Sequence, residues 1–251
     1  MKTVFPIIMA TAFAILVWQM VVSLTGLPRF ILPSPLLVME TWWQNRGLIL
    51  EHLLVTAASV LIGLMIGTLL GIVTAIQLAA SQGMLILFRP ILVFTQALPV
   101  FALAPILTLW LGFGLSSKVA MAVLIIYFPV ASSFLDGLLR TPPGYLDLAR
   151  TMQAQSLGIL FHIRIPAAFP SLSSGLRLAA VYAPIGAVIG EWVGSSRGLG
   201  YLMLLANGRA KTDLMFAAVL TLGLFAILLH IMIGKLAGRL ERARLADLCF
   251  S

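Results

Sequence analysis

Along this chain, long apolar runs alternate with short polar breaks, and each run is about as long as a bilayer is thick. At 1.5 Å per residue, about 20 residues cross the ~30 Å hydrocarbon core of a membrane. On that ruler the pattern predicts six spanning helices, at about 4–26, 51–80, 84–104, 115–138, 168–193 and 214–238. Pro90, Pro99 and Pro105 interrupt the third. The first run, Val4 to about Leu27, is too long for a signal-peptide core and no small-residue cleavage site follows it. It is expected to be retained as a span. Between the first two spans, LPSPLLVMETWWQNRG has two prolines followed by an amphipathic turn. This predicts a short interfacial helix with Trp42 and Trp43 at the headgroups. The fold class is therefore all-α, a polytopic membrane protein with six transmembrane helices.

Composition agrees. Hydrophobic residues make up 61% and charged residues 10%, where a soluble domain carries about 25% charged. The net charge of +8 is read as topology charge, because no basic patch is interleaved with polar surface as nucleic-acid binding requires. With the N-terminus inside, the inner segments carry Lys2, Arg89, Arg140, Arg150, Arg164, Lys235, Arg239, Arg242 and Arg244. The outer ones carry Arg29, Arg46, Lys118, Arg197, Arg209 and Lys211. This bias, densest at 235–244, predicts that both termini lie in the cytoplasm. The single cysteine, Cys249, excludes a disulfide framework and a cysteine-based metal site. His52, His162 and His230 share no metal-ligand spacing.

The second span contains Gly63, Gly67 and Gly71, two GxxxG units in register on one helix face. Small residues every four positions let helix backbones approach closely in lipid, so these three are expected to pack against another helix.

Between spans four and five the chain turns half-polar, reading DLARTMQAQSLGILFHIRIP at 147–166. Thr141-Pro142-Pro143 precedes it, and proline is tolerated at a helix start. Leu146, Ala149, Met152 (or Gln153), Leu157, Leu160 and Ile163 recur at helical spacing. Asp147 is expected in the first turn, complementing the helix dipole, and Pro166 ends the pattern. A cytoplasmic loop of about 30 residues is far longer than a bare connection needs.

The segment resembles the EAA loop of binding-protein-dependent ABC importer permeases, whose pattern is E-A-A, three residues, Gly, nine residues, I-x-L-P. Asp147-Leu148-Ala149 takes the E-A-A place, Gln153 the glycine place and Ile163-Arg164-Ile165-Pro166 the end. Asp for Glu keeps the charge but shortens its reach. Gln for Gly is expected to stiffen the bend or displace it toward Gly158, and Gln153→Gly to add about 1 kcal/mol of helix cost. The resemblance covers nearly the whole chain. ILPSP, Phe128-Pro129, Gly175-Leu176-Arg177, Glu191 and Gly198-Leu199-Gly200 fit the branch similar to sulfonate, taurine and nitrate permeases. TMQA, APIGAVIGEWVGSS and LANGR look most like permeases for hydroxymethylpyrimidine or aminopyrimidine, the thiamine precursors.

The resemblance implies a single transmembrane permease domain over 1–251 with a type I importer (MetI-like) fold. It implies a coupling loop at about 141–166 that docks on a separate ABC ATPase subunit through Asp147, Leu148, Ala149, Gln153, Gly158, Ile163 and Pro166. It also implies a periplasmic substrate-binding protein and a second permease copy, in a homodimer, as partners. The chain has no G-x-x-x-x-G-K-[ST] loop, so ATP is expected to bind the partner, and no cofactor is expected on this chain.

Charges at membrane depth are expensive and usually functional. Arg177 and Glu191 are therefore candidates for the translocation path, with Gln96 and Pro99 (beside Thr95 and Pro105) in the broken third span. Glu191, next to Trp192, has a second reading, as an anchor of the membrane interface or of the Gly198-Leu199-Gly200 turn. His230 reads as a packing histidine. An ion-driven secondary carrier would need paired intramembrane carboxylates or matched broken helices in two halves, neither of which is visible. An intramembrane enzyme would have only Asp136 and His230 to build on.

Overall fold

The computed structural model describes residues 4–250, excluding the side chains of 4, 7, 96, 97 and 240–250. Among the described residues there is no strand. α1 is Val4–Thr25, α2 Pro35–Gln44, α3 Arg46–Ala80, α4 Gln82–Ala97 and α5 Val100–Leu111. α6 is Leu115–Leu139, α7 Pro143–Thr151, α8 Ser156–Ile159, α9 Ile165–Gly194, α10 Leu199–Gly208 and α11 Thr212–Phe250.

Five of these helices are long and apolar enough to cross a membrane, and the bent pair α4–α5 makes up to six. The third span is broken, as its prolines lead one to expect, and extends beyond 84–104 at both ends. α4 and α5 meet at 95° around Leu98-Pro99, where Leu98 is extended (φ −73°, ψ 126°). A residue before proline is pushed out of the helical region, which accounts for a break there. Pro90 and Pro105 stay inside helices.

α6 is the axis, clasped between α3 and α9. The hydrophobic effect does not drive helices together in lipid, so close backbone approach and hydrogen bonds must hold them. The α3 glycines supply the approach one turn at a time. A Cβ at Gly63 would lie 2.5 Å from Ala122 Cβ, one at Gly67 2.9 Å from Ile126 Cγ2, and one at Gly71 3.0 Å from Val130. On the other side, Gly186 of α9 lies against the backbone of Ala122, and Ala179, Ala180, Ala183 and Ala187 are fully buried. Bulk is turned outward instead, as at Met65 and Leu69.

α1 is attached at its side. Trp18 donates from Nε1 to the Pro33 carbonyl at 3.1 Å, and its ring packs 5.6 Å from that of Phe216. α2 starts as expected, with Ser34 capping the Leu37 amide and Pro35 in the first turn. Its two tryptophans remain in contact, with ring centroids 6.4 Å apart, but take different partners. Trp42 turns inward and donates to Thr221 Oγ1 at 3.0 Å, while Trp43 stays exposed under the Arg46 guanidinium at 4.8 Å.

Gly67→Leu drives a branched side chain into Ile126 and the Val123 carbonyl. Overpacking costs about 1–3 kcal/mol, so the yield of monodisperse protein and its melting temperature should fall. Met65→Leu, on the exposed face of the same helix, should leave both unchanged. Equal thermal-shift and size-exclusion profiles for the two variants would show that α3 does not pack through its glycines.

Candidate functional site

The loop between α6 and α9 is built by backbone chemistry. Thr141 donates to the Leu138 carbonyl and closes α6, and Pro143 starts α7. α7 ends in a Schellman motif: the Gln153 amide bonds the Arg150 carbonyl at 2.9 Å and the Ala154 amide bonds the Ala149 carbonyl at 3.0 Å. The residue between these bonds must adopt the left-handed conformation, and Gln153 does so at φ +56°. The bend thus stays at the motif's glycine position and is not displaced to Gly158, which lies inside α8. The expected energetic sign also reverses. Gln153 is outside the helix interior, and an L-residue pays about 1–2 kcal/mol in this conformation.

Two further expectations are corrected. Asp147 is the fifth residue of α7 and not in its first turn, because the helix already starts at Pro143. It instead pairs with Arg150 at 3.2 Å on the surface, where such pairs contribute little. Pro166 does not end the loop helix but falls in the first turn of α9. A π-helical turn at Leu160–Arg164 precedes it and absorbs the proline, which has no N–H to bond back one turn.

The expected apolar row also splits. Ala149, Ile159 and Leu160 are buried and Leu146 and Ile163 half-buried. Tyr145, Leu148, Met152, Leu157 and Phe161 point outward, 54–74% exposed. The loop is tied to the body where Arg164 donates to the Ala79 carbonyl at the end of α3. Its outer face is a cluster of large apolar side chains around the exposed Asp147–Arg150 pair.

A cavity of about 650 Å³ lies between the α4–α5 elbow, α6 and α9. Thr95, Tyr127, Phe128, Ser132, Ser133 and Tyr182 line it with aliphatic neighbours, and none of its lining residues is charged. Thr95 and Tyr127 also line an adjoining cavity of about 350 Å³ that reaches Thr74 and Gln77. Pro99 caps α5 at the elbow, between the lining residues Leu98 and Val100. The Gln96 side chain lies outside the described residues.

Glu191 sits elsewhere, buried in a lock at the far end of α9. Three consecutive amides at the start of α10 are each taken by a side chain. Gly198 donates to His52 Nδ1 at 2.9 Å, Leu199 to Thr56 Oγ1 at 2.8 Å and Gly200 to Glu191 Oε2 at 2.7 Å. Thr56 donates onward to Glu191 Oε1 at 2.8 Å, and Lys118 holds the Arg197 carbonyl at 2.9 Å. A carboxylate at a helix N-terminus is favoured by the unpaired amides and the dipole. The geometry matches the second reading of Glu191, as the anchor of the turn. A side chain at Gly198, where φ is +122°, would collide with the Glu191 carboxylate.

Arg177 joins neither group. It is exposed on α9, in a groove with His230, Lys235 and Arg239 of α11. Sequence reasoning missed Tyr127, Tyr182 and the Ser132-Ser133 pair of the cavity, and the roles of His52 and Thr56 in the lock. A polar pair inside an apolar span was the available signal for the cavity.

The family model for the inner membrane component of binding-protein-dependent transport systems matches residues 67–243. The chain is 48% identical over 225 residues to a probable ABC transporter permease protein of Haemophilus influenzae, covering 90% of this chain and 92% of that protein. It is 36% identical over 221 residues to the formylaminopyrimidine transport permease protein of Halalkalibacterium halodurans, covering 88% of each. A riboflavin transport system permease protein of Chloroflexus aurantiacus is 36% identical over 227 residues, covering 90% of this chain and 83% of that one. Among solved structures, an amino acid ABC transporter described with histidines aligns at a TM-score of 0.60 and 16% identity. It covers 80% of this chain and 95% of that one, a likeness of fold. The glycine-clasped spans, the helical loop with its motif spacing and these matches agree, and the chain belongs to the inner membrane permease family of binding-protein-dependent ABC importers.

Proposed function

We infer that this permease carries a neutral, flat, nitrogen-containing ring, a thiamine-precursor pyrimidine, handed to it by a periplasmic binding protein. The observation that carries this reading is the cavity at the α4–α5 elbow. Its walls offer aromatic faces (Tyr127, Phe128, Tyr182) and hydroxyls (Thr95, Ser132, Ser133), without a lining cation. A planar heterocycle stacks on the former and hydrogen-bonds the latter. Alkanesulfonates and nitrate are anions and taurine is a zwitterion, and a buried charge needs a paired one. The similarity to the formylaminopyrimidine permease supports the same class. Riboflavin is a second flat heterocycle, and the riboflavin permease of equal identity makes it the second reading. Uptake into proteoliposomes holding the assembled transporter should favour an aminopyrimidine over taurine and riboflavin. Tyr182→Ala should lower that uptake about tenfold, one stacking contact of ~1.5 kcal/mol. Taurine uptake exceeding pyrimidine uptake would overturn the reading.

The loop is the contact to the ATPase subunit, which binds ATP. Its exposed Tyr145, Leu148, Met152, Leu157 and Phe161 present the apolar anchors an interface core is made of, and Asp147 supplies the charge. In the assembled importer two copies of this chain pair, each giving one loop to one ATPase, with both termini on the ATPase side.

Asp147→Lys tests the docking charge. A partly buried pair broken from one side costs about 3–5 kcal/mol, so ATPase co-purification should weaken by two to three decades. The permease should still insert, since Asp147 is exposed and outside the spans. Undiminished co-purification and uptake would show that the charge faces solvent in the complex.

Gln153→Gly relieves the left-handed strain and should stabilise the loop by about 1 kcal/mol, with transport retained. Gln153→Val should do the reverse, because a branched residue fits that conformation worst. Proteolysis rates of the 141–166 loop rank the three forms. A Gly variant cut faster than the wild type would contradict the strained cap.

A further inference from the structure

Arg177 is an unexplained cation. It lies 12 residues into α9, about 18 Å from the start of that helix, and it is exposed. Within a bilayer, such exposure is to lipid unless something covers it. Among the described residues the only ion pair is Arg150–Asp147, and none of their carboxylates pairs with Arg177. The antiparallel α11 brings three more basic groups beside it. His230, Lys235 and Arg239 line the same groove, of about 540 Å³, and none of its lining residues is acidic. His230 donates from Nδ1 to the Arg177 carbonyl at 3.4 Å, which fixes the two helices at that depth.

The groove owes its room to Gly234 and Gly238. A Cβ at either would meet nothing within 4 Å, unlike Gly63, Gly67 and Gly71, whose absent side chains are filled by α6. The groove rises from Arg239, near the membrane edge, to Arg177 and His230 deeper in. Around it Leu228, Ile231, Met232 and Leu236 are 46–67% exposed, a surface made for acyl chains. A long basic side chain leans toward its helix's N-terminus. Arg177 therefore reaches toward the membrane edge where Lys235 and Arg239 lie.

We propose that this groove binds the phosphate headgroup of an anionic phospholipid in the leaflet at the α9 N-terminal end. Three permanent cations and a histidine, open to lipid and without a counter-ion among the described residues, match a phosphodiester with its tails along the apolar face. A free phosphate ion offers the same chemistry but could not bury that face. A second copy of the chain, docked here about a two-fold axis, would bring the same cations against these. The orientation of the chain decides only which leaflet supplies the lipid, and the inference does not depend on the transported substrate.

The test uses the full chain in phosphatidylcholine nanodiscs doped with spin-labelled phosphatidylglycerol or spin-labelled phosphatidylcholine, in both leaflets. The wild type should immobilise the phosphatidylglycerol label preferentially. Lys235→Gln with Arg239→Gln should reduce that preference, by about fivefold for each cation removed. Gly238→Leu, which fills the groove and keeps every charge, should also reduce it, and this variant covers the case where a change at Arg177 prevents insertion. An unchanged preference in both variants overturns the proposal. So does displacement of the labelled lipid by inorganic phosphate, which would make the ligand a free ion. Efficient disulfide formation between two copies through Gly234→Cys, in a Cys249→Ser background, overturns it as well, because the groove would then be an interface between permeases.

Discussion

Everything in this permease depends on how closely α3 and α9 can approach α6. In water a helix bundle is driven together by burying large apolar side chains, but in lipid those side chains gain nothing by turning inward. The chain accordingly places glycine and alanine where α3 and α9 meet α6 and turns much of its leucine, methionine and phenylalanine outward, while Met121, Phe134 and Leu138 of α6 itself stay buried. Contact at van der Waals distance then has to be met at every turn, as it is from Gly63–Ala122 through Gly71–Val130. A single bulky substitution in that row moves the whole of α3, and with it His52 and Thr56 at the outer end.

The hydrogen-bonded lock at that end solves the second problem of a buried helix start. The first amides of α10 have no partners within the helix, and no water reaches them inside the protein. His52, Thr56 and Glu191 come from two helices that only the α3–α6–α9 packing brings together. Glycine at 198 and 200 lets the backbone come within reach of the carboxylate. The lock therefore reports on the packing: if α3 slides, the Gly198 and Leu199 amides and the Glu191 carboxylate lose their α3 partners at once.

Much of this was legible in the sequence, and the parts that were not have physical reasons. Span positions follow from bilayer thickness and run length, so five of them stand within a few residues. The face of Gly63, Gly67 and Gly71 follows from helical periodicity. The loop was visible because half-polar helical spacing in an apolar chain has few other uses. The elbow at Leu98-Pro99 was not, because three prolines in one run do not say which of them breaks it. The inward turn of Trp42 depends on Thr221, 179 residues away, and the lock pairs residues 135 to 146 apart. Gln153 misled most directly. A glutamine at a glycine position reads as a loss of flexibility, whereas the two bonds flanking it oblige whichever residue stands there to be left-handed.

Those same bonds shape how the loop is joined to the helices on either side. α7 is joined to α6 through Arg140-Thr141-Pro142 and to α8 through the four-residue turn 152–155, which the two Schellman bonds hold, and α8 runs through the π turn into α9. α6 and α9 are themselves in close contact just inside the membrane, where Gly137 meets Ala168 and Ser171. A displacement of α7 would therefore be passed to the packed α6–α9 pair. The elbow of α4 and α5 lies outside that pair, with only slight packing on it apart from α5's contacts to α6 and α9. The cavity is bounded by the packed pair on one side and the elbow on the other. Relative motion between them must change the cavity's shape, and that is the property a translocation path needs.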